Sequence, residues 1–192
     1  MRKLIVSQFV TLDGVIEDPG GSEASERGGW AFRFDRGPEG DAFKLEEVLG
    51  ADALLLGRRT YEGFAAAWPS RTDVAGFADK MNSMPKYVVS SSLAEPTWAN
   101  TTVLRSDVGD EVTRLKDSAG GDILVNGSAQ LVRELQRLDL VDEYRLMVFP
   151  TVLGAGKRLF DDGVAAQELD VVETRPAGEV VVLVLRPKRE TA

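Results

Sequence analysis

Two short stretches carry the residue types that hold phosphates. Gly57-Arg58-Arg59-Thr60 follows the apolar run Ala53–Leu56 and leads into helix-compatible residues. Free backbone N–H groups at a helix start, beside cationic side chains, suit a phosphate. Asn126-Gly127-Ser128-Ala129-Gln130 follows the apolar run Ile123–Val125 and opens a second helical pattern. Gly127 lets a diphosphate approach the backbone, and the helix start adds partial positive charge. A third apolar run ends in the hydroxyls of Ser90, Ser91 and Ser92. Each piece alone also reads as a surface pair, a turn or a plain loop. Their joint occurrence, each after a strand, suits a dinucleotide with two phosphate loci at the carboxyl ends of an α/β sheet. No GxGxxG run follows the first strand, and there is no Walker A sequence.

The elements that must position these corners follow from hydrophobic periodicity. Lys3–Val10 reads as a central strand, apolar on both faces. Thr11–Ile16 reads as a turn and a short extended piece, and Glu17–Gly29 as a polar, glycine-rich loop. Trp30, Phe32 and Phe34 alternate, as residues on one wall would. A helix is expected over Pro38–Leu49, with Phe43, Leu45, Val48 and Leu49 as its apolar set. After the Ala53–Leu56 strand comes a helix to Ala67, stopped at Trp68-Pro69. Helices are expected over Asp73–Ser83, Asp107–Ser118 and Ala129–Leu138, and strands over Lys86–Ser90, Thr101–Leu104, Asp122–Val125 and Val141–Phe149. Gln167–Thr174 and Gly178–Arg186 form a closing hairpin around Arg175–Gly178, and the tail 187–192 is expected to fray. This order predicts one domain over 1–192: a three-layer α/β fold, mainly parallel, with an antiparallel C-terminal strand.

Composition narrows the chemistry. The chain has 192 residues and a net charge of −8, which argues against backbone-led binding to nucleic acid. It has no cysteine and no histidine. Disulfides, zinc–thiolate sites, cysteine nucleophiles and a Ser–His triad are therefore excluded, and no metal site is expected. Acid–base work falls to Asp, Glu, Tyr, Lys or water. The apolar run in MRKLIVSQFV is too short for a signal peptide or membrane span, so a soluble, cytoplasmic protein without a membrane partner is expected.

GRRTYEGF after LLL resembles the dihydrofolate reductase superfamily signature, a strand followed by Gly-Arg-x-Thr-[aromatic]-Glu. The run DILVNGSAQLVRELQRLDLVDEYRLMVFPTVLGAGKRLF resembles the C-terminal reductase domain of bacterial riboflavin biosynthesis and its stand-alone relatives. VTLDGVIED matches their Ser-[Leu/Val]-Asp-Gly-x-Ile-Ala pattern, with Thr11 in the Ser position and Glu17 in the Ala position. The resemblance covers nearly the whole chain. It implies a dihydrofolate-reductase-like fold, an eight-stranded sheet, NADPH as cofactor and a homodimer. By position it implies that Gly57, Arg58, Arg59 and Thr60 meet the 2′-phosphate and pyrophosphate. Ser90 to Ser92 would lie near the adenosine 2′-phosphate, and Asn126, Gly127, Ser128, Ala129 and Gln130 would cradle the pyrophosphate. Val10, Thr11, Gly14 and Ile16 would flank the nicotinamide through their backbone. The family's Gly-Gly, often a cis peptide in dihydrofolate reductases, falls on Asn126-Gly127.

The substrate side is less specific. Dihydrofolate reductases keep a buried carboxyl on the helix before the Gly-Arg-x-Thr strand. Asp41 occupies that stretch, with Glu39, Glu46 and Glu47 as rivals and Asp13 as the other carboxylate near the cleft. Trp30, Phe32 and Trp68 offer rings on which a planar substrate could stack. Glu62 either orients the arginines or faces solvent, and Gly154, Gly156 and Phe160 read as loop geometry first. Three functions fit. The first is an NADPH-dependent reductase of a small pterin-, pyrimidine- or quinone-like compound. The second is a riboflavin-pathway ribosylaminopyrimidine reductase, and the third a non-catalytic ligand-binding protein on the same scaffold.

Overall fold

In a computed structural model, which describes residues 1–160 and 162–189, the chain builds one eight-stranded sheet. The strands are β1 Leu4–Thr11, β2 Ala51–Gly57, β3 Lys86–Val89, β4 Thr101–Leu104, β5 Asp122–Val125, β6 Glu143–Phe149, β7 Leu169–Ala177 and β8 Val180–Pro187. The helices are α1 Gly37–Gly50, α2 Arg58–Ala67, α3 Phe77–Ser83, α4 Val108–Asp117 and α5 Ala129–Arg137. The strand order is β4-β3-β2-β5-β1-β6-β8-β7. The first six of these strands are parallel, and β8 runs antiparallel to both β6 and β7. Among the described residues no helix is long and apolar enough to cross a membrane.

β1 is apolar on both faces because both faces are covered. Leu4, Val6 and Val10 pack with Val112 and Leu115 of α4 and Leu131, Val132 and Leu135 of α5. On the opposite face Ile5 joins Leu54, Leu56 and Leu124 beneath Tyr61 of α2 and Met81 of α3. Further along that face, Met147, Phe149, Val180, Val182 and Val184 pack with Phe43 of α1 and with Trp30.

Several local expectations change in the fold. Trp30–Arg33 is a short 3-10 helix, which turns Phe32 to solvent at 75% exposure, while Trp30 and Phe34 both pack edge-on against Phe149. In α1, Phe43 and Val48 are buried as expected, but Leu49 is exposed and Glu47 is buried, because the strand residue beneath Glu47 is polar Ser7. α3 starts at Phe77 rather than Asp73. Gly76 takes a left-handed conformation there, and the Asp73 carboxylate accepts the N–H groups of Phe77 and Ala78. In the hairpin β7 runs on to Ala177 and β8 begins only at Val180, so the turn is Gly178-Glu179 rather than Arg175–Gly178. In the tail, Pro187 closes β8, the Lys188 N–H donates to the Glu168 carbonyl and Arg189 pairs with Asp142; residues 190–192 lie outside the described residues.

Candidate cofactor and substrate site

The strand ends line up in one row. Gly57, the last residue of β2, pairs with Val89 of β3, and Val89 pairs with Leu104 of β4. The residues that follow these three, Arg58, Ser90 and Arg105, are therefore neighbours along the carboxyl edge. On the other side, the Gly57 N–H donates to the Gly127 carbonyl at 3.1 Å. The two corners read from sequence are thus in direct contact. A Cβ on Gly57 would lie 3.0 Å from Ser128 Cβ and 3.1 Å from Ser128 N. A Cβ on Gly127, where φ is +124°, would lie 2.8 Å from Thr60 Oγ1. A side chain at Gly57 would run into Ser128, and one at Gly127 into the Thr60 side chain, where the positive φ also favours glycine.

Gly57 precedes α2 and Ser128 precedes α5, and neither residue caps its helix with a side chain. Two helix starts with uncapped N–H groups meet at one point from opposite faces of the sheet, and both helix dipoles direct partial positive charge to it. Arg58 and Arg59 are exposed on the first turn of α2. Arg58 pairs with Glu62 one turn on, at 2.9 Å, so Glu62 engages one arginine; an exposed pair of this kind yields easily to a stronger anion. Ser90 is nearly buried, and its Oγ accepts the N–H groups of Ser92 and Leu93. Ser91 and Ser92 are exposed. Arg105 is a cation that the sequence reading passed over. Its guanidinium donates to the Leu93 and Ala94 carbonyls of the serine loop. The signal was available, since Arg105 follows its strand as Arg58 follows β2.

β1 outruns its neighbour. Its pairing with β5 ends at Val6–Val125, while pairing with β6 continues to Thr11–Phe149. Backbone direction alternates along the strand. The Leu4 carbonyl accepts from Asp142 at the β6 side, and the Lys3 carbonyl accepts from Ile123 at the β5 side. Phe9 therefore turns its N–H and C=O into the gap beyond the end of β5. Beyond β1 the chain is tied to the loop after β6. Thr11 Oγ1 donates to Asp13 Oδ1, and the Asp13 carboxylate accepts the N–H groups of Leu153 and Gly154. The Leu159 N–H donates to the Gly14 carbonyl, and the Ile16 N–H to the Lys157 carbonyl. Val10 and Ile16 are buried in the core beside α5. Segment 17–29 arches over this end of the molecule. Its Glu17 pairs with Lys157, its Arg27 donates to the Leu153 carbonyl, and Ser22 lies near Gly63 of α2.

The substrate-side residues are not brought together. Trp30 is fully buried, and its Nε1 donates to the Glu17 carbonyl. Trp68 lies at the far end of α2, stacked on Phe77 in the other aromatic cluster. A planar substrate has no ring face to stack on at Trp30, and Trp68 is about 15 Å from the start of α2, one helix length away. Asp13 is a loop clamp. The Thr11 hydroxyl leads the causes that hold its carboxyl down at about 2, with the Gly154 and Leu153 N–H groups adding to it against the desolvation of partial burial. Asp41 is 66% exposed and paired with Arg36. The buried carboxyl of α1 is Glu47, with a side chain 1% exposed. Glu39 and Glu46 are exposed. Gly154, Gly156 and Phe160 are exposed in the loop, and the Phe160 ring packs edge-on against Tyr144. The peptide bond Gly127–Ser128 is cis, one residue after the position implied by the resemblance.

The sequence profile of the RibD C-terminal domain matches residues 2–183. The chain belongs to this family. It is 31% identical to the uncharacterized protein YyaP of Bacillus subtilis over 188 residues, covering 96% of this chain and 94% of that one. It is 30% identical to YwjB of the same organism over 182 residues, covering 95% and 96%. Among solved structures, a Shewanella sp. PV-4 protein assigned to riboflavin biosynthesis superposes with a TM-score of 0.70 at 20% identity, covering 97% of this chain and 99% of that one. The diaminohydroxyphosphoribosylaminopyrimidine deaminase/5-amino-6-(5-phosphoribosylamino)uracil reductase of Thermotoga maritima superposes with a TM-score of 0.63 at 18% identity. That match covers 97% of this chain and 57% of the Thermotoga chain. At these identities the structural likeness is one of fold, and the fold is that of the RibD C-terminal domain.

Proposed function

We propose that this RibD C-terminal domain protein is an NADPH-dependent reductase of a small planar heterocyclic compound, pterin-, pyrimidine- or quinone-like. The observation that carries the reading is the row of strand ends. Two uncapped helix starts meet at Gly57 and Gly127, flanked by Arg58, Arg59, the serine loop and Arg105. This donor set fits a dinucleotide with an additional phosphate. The N–H groups at the starts of α2 and α5, with Thr60, Ser128, Ala129 and Gln130, would hold the pyrophosphate. Arg58, Arg59, Ser91, Ser92 and Arg105 would hold the 2′-phosphate. The open backbone of Phe9, with Val10, Thr11, Gly14 and Ile16 behind it, would hold the nicotinamide end. When bound, that cofactor supplies hydride; the protein's part is to orient it and the substrate and to exclude water.

A riboflavin-pathway ribosylaminopyrimidine reductase is the second reading, favoured by the family and by the Thermotoga neighbour. Against it, the two cations at α1 that lie near Phe9 are already matched, Arg36 by Asp41 and Lys44 by Glu47, and offer little to a substrate phosphate. Homodimeric assembly and a cytoplasmic location belong to the same proposal. The edge strand β7 exposes Val171 and Val172, as a strand covered by a second copy would; light scattering and cell fractionation test the two points. The deciding experiment titrates NADPH and NADH against intrinsic tryptophan fluorescence. NADPH binds more tightly, and Arg58→Ala with Arg59→Ala removes about 10- to 100-fold of its affinity while sparing NADH, the usual worth of charge-assisted hydrogen bonds. Equal affinity for the two cofactors would overturn the reading. Tight NADPH binding without oxidation by any planar acceptor would leave the third possibility, a ligand-binding protein.

A further inference from the structure

Beneath α1 lies a polar cluster with no part in the cofactor grip. Ser7 of β1 points up at the helix, and its Oγ donates to Glu47 Oε2 at 3.0 Å. Lys44, three residues before Glu47 on α1, donates to the same Oε2 and to Ser7 Oγ, the latter at 2.6 Å. Glu47 Oε1 is buried and has no hydrogen-bond partner among the described residues. Burying two charges and leaving one oxygen unpaired is a poor way to stabilise a helix–sheet contact, and apolar residues of similar volume usually serve that purpose at least as well. The cluster therefore calls for another reason.

Its position supplies one. Lys44 is the member that reaches the surface, with 14% of its side chain exposed. Its Nζ lies 5.4 Å from the centre of the Phe9 ring. Phe9 is the residue whose backbone opens into the gap beyond β5. One residue thus offers its backbone to the cofactor gap and its ring to a lysine ammonium. Asp41 faces solvent and Asp13 is locked in its loop, so neither competes for this place. The arginines around it are already engaged by carboxylates: Arg36 by Asp41, and both Arg145, the register partner of Ser7, and Arg186 by Glu143. A doubly charged phosphate gains little in such a field, whereas a neutral carbonyl oxygen gains a charge-assisted hydrogen bond.

We propose that Lys44 is the substrate anchor of this protein, donating from its ammonium to a ring carbonyl oxygen of a planar substrate. Glu47 and Ser7 are positioning residues that hold the ammonium in place and aimed. The anchor fixes the ring beside Phe9 and draws electron density toward its oxygen, which favours acceptance of hydride by the ring. This rests on the reductase reading and narrows it to carbonyl-bearing rings without a phosphate requirement.

The test uses two probes, 1,4-naphthoquinone and uracil, each labelled with carbon-13 at a carbonyl. Lys44→Met alone would strand the Glu47 carboxylate, so the charge-neutral double variant Lys44→Met/Glu47→Gln is compared with wild type, alongside Lys44→Arg. Thermal unfolding confirms that each is folded. The double variant should keep NADPH affinity within about twofold and lose about 10- to 100-fold in affinity for the probes, with Lys44→Arg recovering part of it. Infrared spectra should show the bound carbonyl stretch at lower frequency in wild type than in the double variant. Unchanged probe affinity and an unchanged stretch would overturn the proposal, as would wild type binding neither probe. If NADPH fails to bind while the probes still depend on Lys44, the reductase reading falls and the anchor stands.

Discussion

Gly57→Ala is the sharpest perturbation of the joint between the two corners. Gly57 has φ −78° and ψ 156°, a conformation any residue adopts, so the backbone gives alanine no reason to fail. What it meets is Ser128. The new methyl would stand 3.0 Å from Ser128 Cβ and 3.1 Å from its backbone N, and closer still to Oγ. Ordinary carbon contacts lie at about 3.5–4.0 Å, so Ser128 must retreat by roughly half an ångström or more. Rotation of the hydroxyl relieves only part of this, because Cβ and N move with the backbone at the start of α5. Forced overpacking of this kind costs about 1–3 kcal/mol. The displacement also pulls the N–H groups of α5 away from those of α2, so NADPH affinity should fall about tenfold or more, as when aligned charge-assisted hydrogen bonds are lost. Urea denaturation reads the first effect and fluorescence titration the second. Adding Ser128→Ala removes the Oγ contact but not the other two, so the double variant should recover part of the stability and only part of the affinity. A Gly57→Ala protein as stable as wild type, with undiminished NADPH binding, would refute the claim that these corners are packed against one another.

Other consequences follow from groups outside the grip. Lys86 is fully buried, and its Nζ donates to the carbonyls of Asn82, Met84 and Ala99 while resting 4.3 Å from the centre of the Trp98 ring. Lys86→Met leaves three carbonyls, two at the end of α3 and one just before β4, without that donor and should lower unfolding free energy by about 2–4 kcal/mol in urea titrations, given roughly 1–3 for each unpaired buried group and some relief from no longer burying a charge. Burial pushes the Lys86 ammonium down to about 8 from its ordinary 10.5. The unfolded chain therefore holds more protons between these values, and the advantage of wild type over Lys86→Met should grow as pH rises from 8 to 10. A difference that shrinks over that range would count against a depressed Lys86. The Asp13 clamp has a slope of the same sign at lower pH. Its folded value near 2 lies below the ordinary 3.8, so its contribution is complete above pH 4 and disappears as pH falls through 2. Amide exchange of Leu153 and Gly154 should accelerate over that interval, and Asp13→Asn should show the faster exchange already at pH 6.

The order of elements was legible in the sequence because it rests on short-range physics. Apolar runs in Leu4–Val10, Ala53–Leu56 and Ile123–Val125 demand strands covered on both faces. Glycine, arginine and small residues at their ends mark where a ligand can reach backbone N–H groups, whichever strands turn out to be neighbours. The absence of histidine and cysteine confines the chemistry by composition alone, whatever the fold. Tertiary structure alone decided adjacency. The order β4-β3-β2-β5-β1 sets Arg105, Ser90, Arg58 and Gly127 side by side, although they lie far apart in the chain. It also decided which carboxylate of α1 is buried. The resemblance points to Asp41, with Glu47 only a rival, because the helix pattern does not say which carboxylate has a partner waiting inside. Glu47 finds that partner in Ser7, forty positions away on β1, and in Lys44 drawn toward the same spot. The aromatic residues were sorted in the same way. Trp30 and Trp68 share a residue type but went to different cores, because a ring is claimed by whichever apolar surface the chain path brings against it.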